Sequence, residues 1–178
     1  MLPKISKKYR QSVFLATTTL LITLISVIFF RSALIFILLL AFNALLNLYQ
    51  RSTGLPFDMT PTTPLVIIFS IQFGFWPGFI FLFFSSIVPG IFVGGFNPNI
   101  ILIGFLGLVI GYLASVGIVE GVITYGLILV IFEGIVWFFI ATLVSSETLP
   151  PLFVFLASTL NIIYLIIFQN FLTYIMFL

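Results

Sequence analysis

One acid stands alone in the middle of an uncharged run, Val130-Ile131-Phe132-Glu133-Gly134-Ile135-Val136-Trp137. A carboxyl group at the centre of an apolar helix is costly unless it is neutral, paired or turned toward a wet cavity, so an acid so placed points to a functional site. Glu133 is therefore the first candidate for a ligand-binding group; the structural alternative is a protonated Glu133 hydrogen-bonded to a neighbouring helix. Trp137 follows at i+4 on the same helical face, either as a stacking wall for a ring-shaped ligand or as an interfacial anchor. If the helix over 118–145 rises from the cytoplasmic side and the last helix returns, Glu133 lies about 12 residues from one end and Asn161 about 10 from the start of its own. The two reach one level. With Asn97 and Asn99 in the polar loop above, the expected substrate-binding set is Glu133, Trp137, Asn161, Asn97 and Asn99, open to the exterior if the chain crosses six times and reversed if it crosses seven.

Other chemistry is excluded by what is missing. The chain has no cysteine and no histidine, which removes disulfides, thiol nucleophiles, Cys/His zinc sites and His- or Cys-ligated haem. A Ser-His protease or a His-Glu-x-x-His metalloprotease cannot be assembled. Asp58 is the sole aspartate, so a paired-aspartate protease fails as well. Glu120 and Glu133 are about 20 Å apart along a helix, too far to share a proton. An enzyme is not expected, nor is a cofactor or metal. Nucleic acid is an unfavoured partner because Lys and Arg are few and do not alternate with aromatics. Asn43 and Asn47, at i and i+4, fit hydrogen bonding across a helix bundle; Asp58 fits a solvated loop acid, and Glu120 a helix start favoured by the dipole.

The elements that would position Glu133 follow from composition. Of 178 residues 62% are apolar and 6% charged, and the mean hydropathy is +1.40. A water-soluble domain carries roughly a quarter charged residues, so lipid is the expected solvent. Uncharged stretches cover 11–30, 32–50, 59–119 and 148–178, and a helical crossing takes ~20 apolar residues. Thr60-Pro61-Thr62-Thr63-Pro64 offers two Thr-Pro helix starts. Gly74-Phe75-Trp76-Pro77-Gly78, Pro89-Gly90, Gly94 to Asn99, Gly117 and Pro150-Pro151 mark turns. The predicted segments are 12–30, 33–50, 61–73, 76–93, 98–115, 118–145 and 151–177. The third is too short for an ordinary crossing; it either joins the fourth as a kinked helix, giving six crossings, or forms a separate short helix, giving seven. The expectation is an all-α polytopic transmembrane helix bundle, residues 1–178 forming one transmembrane domain with a basic tail at 1–11. Lys4, Lys7, Lys8 and Arg10 place the N-terminus in the cytoplasm by the positive-inside rule, in a multi-pass cell-membrane protein. The first apolar run lacks a small-x-small site before Arg31, so it is expected to remain as a helix rather than to be cleaved as a signal peptide.

Small residues recur at Gly74/Gly78, Gly90/Gly94, Gly107/Gly111 and Gly117/Gly121. This spacing allows helix backbones to approach closely in lipid. It serves packing within the bundle or docking onto a partner membrane subunit, Gly107 and Gly111 being the candidates for the latter.

The order of Thr62-Thr63-Pro64-Leu65, Gln72 through Phe79, Ser85-Ser86-Ile87-Val88-Pro89-Gly90, and Pro98 through Gly104-Phe105-Leu106-Gly107 to Gly111-Tyr112 resembles the substrate-binding S components of energy-coupling-factor vitamin transporters. The rod-shape protein MreD looks like the same architecture. The first resemblance implies a bundle of about six helices that captures a micronutrient from outside and associates with a membrane coupling subunit and paired ATPases. Ala33, Ala41 and Ala44 are then the nearest candidates for the docking helix. No P-loop is present, so ATP would be used by the partners. The second resemblance implies a non-catalytic structural or assembly subunit of a membrane complex.

Overall fold

The computed structural model describes residues 7–55, 58–94, 98–117, 121–144 and 149–177, and these are helical apart from short connections. Seven α-helices follow in order: α1 Lys7–Thr53, α2 Thr62–Phe73, α3 Phe75–Leu82, α4 Val88–Gly94, α5 Pro98–Val116, α6 Val122–Val144 and α7 Leu149–Phe177, with a π-turn at Phe83–Ile87 joining α3 to α4. Among the described residues, four stretches are long and apolar enough to cross a membrane: Phe30–Thr53, Phe75–Gly94, Val122–Ile140 and Leu152–Ile175. The chain is a multi-pass membrane protein.

It divides into two units, Met1–Leu38 and Leu39–Leu178. The described residues of the first, 7–38, are the N-terminal part of α1. A break expected between 30 and 33 is absent, and α1 runs for 47 residues. The reason is local: Arg31-Ser32 carries a charge but neither proline nor glycine, and a charge alone does not interrupt helical hydrogen bonding.

The second unit is built around α2. Leu65 through Ser70 are all buried, so the helix is apolar on every side because every side is covered. At 12 residues it is about 18 Å long, little more than half of a ~30 Å hydrocarbon layer. Its cap position is Pro61, without a side-chain cap, rather than either expected threonine. The helix ends at Gly74, whose φ of 87° is accessible to glycine and strained for other residues. There the chain reverses. Gly78 lies against Ser70 and the Val66 carbonyl, and the Phe69 and Phe81 rings are 5.2 Å apart. Thus α2 and α3 form a helical hairpin, not one kinked helix.

Glycines hold the remaining helices close. A Cβ on Gly107 would lie 2.6 Å from a Leu82 methyl, and one on Gly111 would lie 3.4 Å from Ser70 and Val66. Both glycines face neighbouring helices of the unit, Gly107 half-buried and Gly111 buried. Gly117 and Gly121 are turn residues with φ of 61° and 91°, not packing positions. On α6, Gly126 faces Leu165 and Gly134 faces Ser158, so α6 and α7 run antiparallel. Of the alanines named for docking, Ala41 is exposed and Ala44 half-buried in the second unit, and Ala33 is an exposed residue of the first.

Candidate functional site

The register of α2 against α6 defines the site. Thr63, the second residue of α2, donates from Oγ1 to Glu133 Oε1 at 2.7 Å, while Gly126 lies against Ile67. The two helices are antiparallel, and α2 begins at the midpoint of α6. Met59 and Thr60, just before α2, therefore lie at about half the depth of the unit. Irregular backbone at such depth is tolerated where protein covers it or where it lines a cavity. Polar contacts hold it here: Met59 N donates to Gln50 Oε1 at 3.0 Å, and Tyr164 Oη donates to the Met59 carbonyl at 3.0 Å.

Glu133 is 9% exposed. Its second donor is the Trp137 side chain, and the charged neighbour acting on it is Asp58, another acid. Trp137 thus meets Glu133 through its indole N–H, a role that the stacking and anchoring alternatives did not include. Asn161 is half-buried on α7, and the antiparallel register places it about one turn from the level of Glu133. The hydrogen-bond partners of Glu133 are Thr63 and Trp137, not Asn161. Asn97 lies outside the described residues, as does the side chain of Asn99; α5 begins at Pro98 as expected.

A hydrogen-bonded chain flanks the other side of the first turn of α2. Asn43, fully buried, donates from Nδ2 to Thr62 Oγ1 at 2.9 Å and to Ser85 Oγ at 2.8 Å. Asn47 Nδ2 adds a bond to Thr62 Oγ1 at 3.1 Å and one to the Asn43 carbonyl at 3.2 Å. Thr62 and Thr60 hydroxyls meet at 2.9 Å, and Thr60 donates its backbone N–H and its hydroxyl to Asp58 Oδ1 at 2.8 and 2.7 Å. Ser85 reaches this chain because of the π-turn. Pro89 has no N–H for the Ser85 carbonyl four residues back, and the ladder widens so that Val88 N bonds the Phe83 carbonyl. Ser85 and Ser86 both turn inward.

Asp58 is exposed as a residue; its carboxyl accepts both Thr60 bonds and has the Arg51 guanidinium as its charged neighbour. Arg51 packs over Gly90, where a Cβ would lie 3.0 Å from its Cζ. The charge of Asp58 therefore has a cationic neighbour, whereas Glu133 is held by neutral donors.

Two of these residues escaped the reading of the sequence in their present roles. Thr63 was visible only as a helix-start threonine, and Ser85 only as part of a Ser-Ser pair before Pro89. Asn43 and Asn47 do bond across the bundle, as their i, i+4 spacing suggested.

No family model matches the chain, and no curated protein or solved structure is similar to it.

Proposed function

We propose that the chain is the membrane-embedded substrate-binding subunit of a small-molecule uptake transporter, with its site around Glu133, Trp137 and the first turn of α2. The observation that carries this reading is the half-length helix α2, which starts at mid-depth beside a buried acid. Transporter binding sites are characteristically built where a helix is broken near the membrane midplane, because the broken end supplies polar groups in a place that lipid otherwise denies them. The chain then passes through the membrane six times: α1 once, α2 with the residues just before it once, α3 with α4 once, and α5, α6 and α7 once each. The basic residues before and at Arg31 put the N-terminus in the cytoplasm, which puts the C-terminus there too and opens the site toward the exterior at the end where α5 begins. Energy would come from a coupling subunit and ATPases, as in the energy-coupling-factor transporters that the glycine and proline order resembles, with the exposed Ala41 as a docking candidate.

A structural assembly subunit of the MreD kind is the second reading. It is favoured by the fact that both donors to Glu133 come from this chain, which is what a purely structural buried acid requires. Native mass spectrometry of the gently purified protein and of Glu133→Gln distinguishes the two. A small molecule retained by the parent and lost from a folded Glu133→Gln supports transport; copurification with a large partner complex and no small molecule supports assembly.

A further inference from the structure

The reversal at Gly74 leaves polar groups open at one end of the unit. Gly74 donates its N–H to the Ser70 carbonyl, and α3 begins without a side-chain cap. The last carbonyls of α2 and the first N–H groups of α3 therefore call for water or polar lipid groups, because hydrocarbon offers a bare backbone group no partner. Two large rings flank the same reversal. Trp76, in the first turn of α3, is 68% exposed and Tyr112 of α5 is 60% exposed. Phe75 lies between them, its ring centroid 5.6 Å from that of Trp76 and 6.3 Å from that of Tyr112. Neither the indole N–H of Trp76 nor the hydroxyl of Tyr112 has a hydrogen-bond partner among the described residues. About two turns away along each segment, the exposed rings are Phe83, Phe84 and Phe105, which carry no polar tip. Helix packing fixes the level of the polar-tipped pair. Gly78 and Gly111 both lie against Val66 and Ser70, so Trp76 and Tyr112 are within about a turn of Ser70. Ser70 is seven residues, about 10 Å, along α2 from Thr63, which bonds Glu133.

We propose that Trp76 and Tyr112 form a contact surface for the glycerol-ester and headgroup layer of one phospholipid leaflet, with the Gly74 reversal at the edge of the hydrocarbon. Tryptophan and tyrosine suit that layer because the ring is apolar and its tip is polar. Water and ester carbonyls there also complete the open helix ends. The surface goes beyond both functional readings and depends on neither. It sets the depth of the buried acid as well: with the boundary at the two rings, Glu133 lies about 10 Å inside a ~30 Å hydrocarbon layer, closer to the midplane than to either face.

The test reconstitutes the full-length protein in phosphatidylcholine vesicles whose acyl chains are brominated either near the headgroup or near the methyl end. The fluorescence of Trp76 is read as the difference between the parent and Trp76→Phe, which leaves Trp137 and its bond to Glu133 in place. Bromine near the headgroup should quench Trp76 more efficiently than bromine near the methyl end, by roughly twofold or more. Phe84→Trp in the Trp76→Phe chain moves the reporter eight residues, about 12 Å, toward the membrane centre and should reverse the order. Equal or stronger quenching of Trp76 by the deep bromines overturns the proposal, as does the same order at both positions. Absence of quenching of Trp76 at either depth, the result expected if a second copy of the chain covers the rings, overturns it too. If Phe84→Trp does not fold, the order of quenching at Trp76 decides by itself.

Discussion

Thr63→Val is the most direct probe of the buried acid. Valine matches threonine in shape and removes only the hydroxyl that donates to Glu133 Oε1 at 2.7 Å. Hydrogen bonds to charged groups are worth about 1.5–3 kcal/mol, and neutral interhelical bonds in membranes average about 0.6 kcal/mol. Glu133 is 9% exposed and keeps the Trp137 donor, so the loss should fall between these limits, at about 1.5 kcal/mol, roughly tenfold in the unfolding equilibrium. Reversible unfolding in mixed micelles, followed by circular dichroism, measures it. A double-mutant cycle with Glu133→Gln isolates the pair: the neutral amide needs the Thr63 donor less, so Thr63→Val should cost clearly less in that background. If Thr63→Val stays within about 0.3 kcal/mol of the parent, or if the two changes add without coupling, Thr63 does not sustain the acid and the placement of α2 against α6 is wrong.

Two further outcomes follow from the same structure. Gly78→Ala drives a methyl group into Ser70 Oγ and toward the Val66 carbonyl and should destabilise the α2–α3 hairpin by about 1–3 kcal/mol; Ser70→Ala in the same chain removes the obstructing oxygen and should restore much of the loss, read as recovery of the thermal midpoint. Asp58→Ala removes the acceptor of both Thr60 bonds and should lower the thermal midpoint, at a cost of about 1 kcal/mol; an unchanged midpoint would leave those bonds without a part in holding the start of α2.

Much of this protein was legible in its residues. The absence of charge required lipid, and glycine and proline gave the ends of α2, α5 and α6 within a few residues, because backbone conformations open to glycine and closed to other residues are local properties. Glu133 stood out for a similarly simple reason: an acid in lipid is expensive wherever the helix goes. Arg31 misled because a charged residue marks a membrane boundary only when the backbone also breaks, and nothing at 31–32 breaks it.

What Glu133 touches could not be read along the chain. Its partner Thr63 is 70 residues away, and their meeting depends on α2 starting at half-depth and on the reversal at Gly74. In the same way Asn43 meets Ser85, 42 residues on, only because the π-turn rotates two serines inward. Local sequence determines which segments are helices and where each can stop. Pairings between helices depend on depth and register, which are set by close packing of glycines against Leu82, Ser70, Leu165 and Ser158; in lipid, contact and hydrogen bonding rather than water exclusion select among such arrangements.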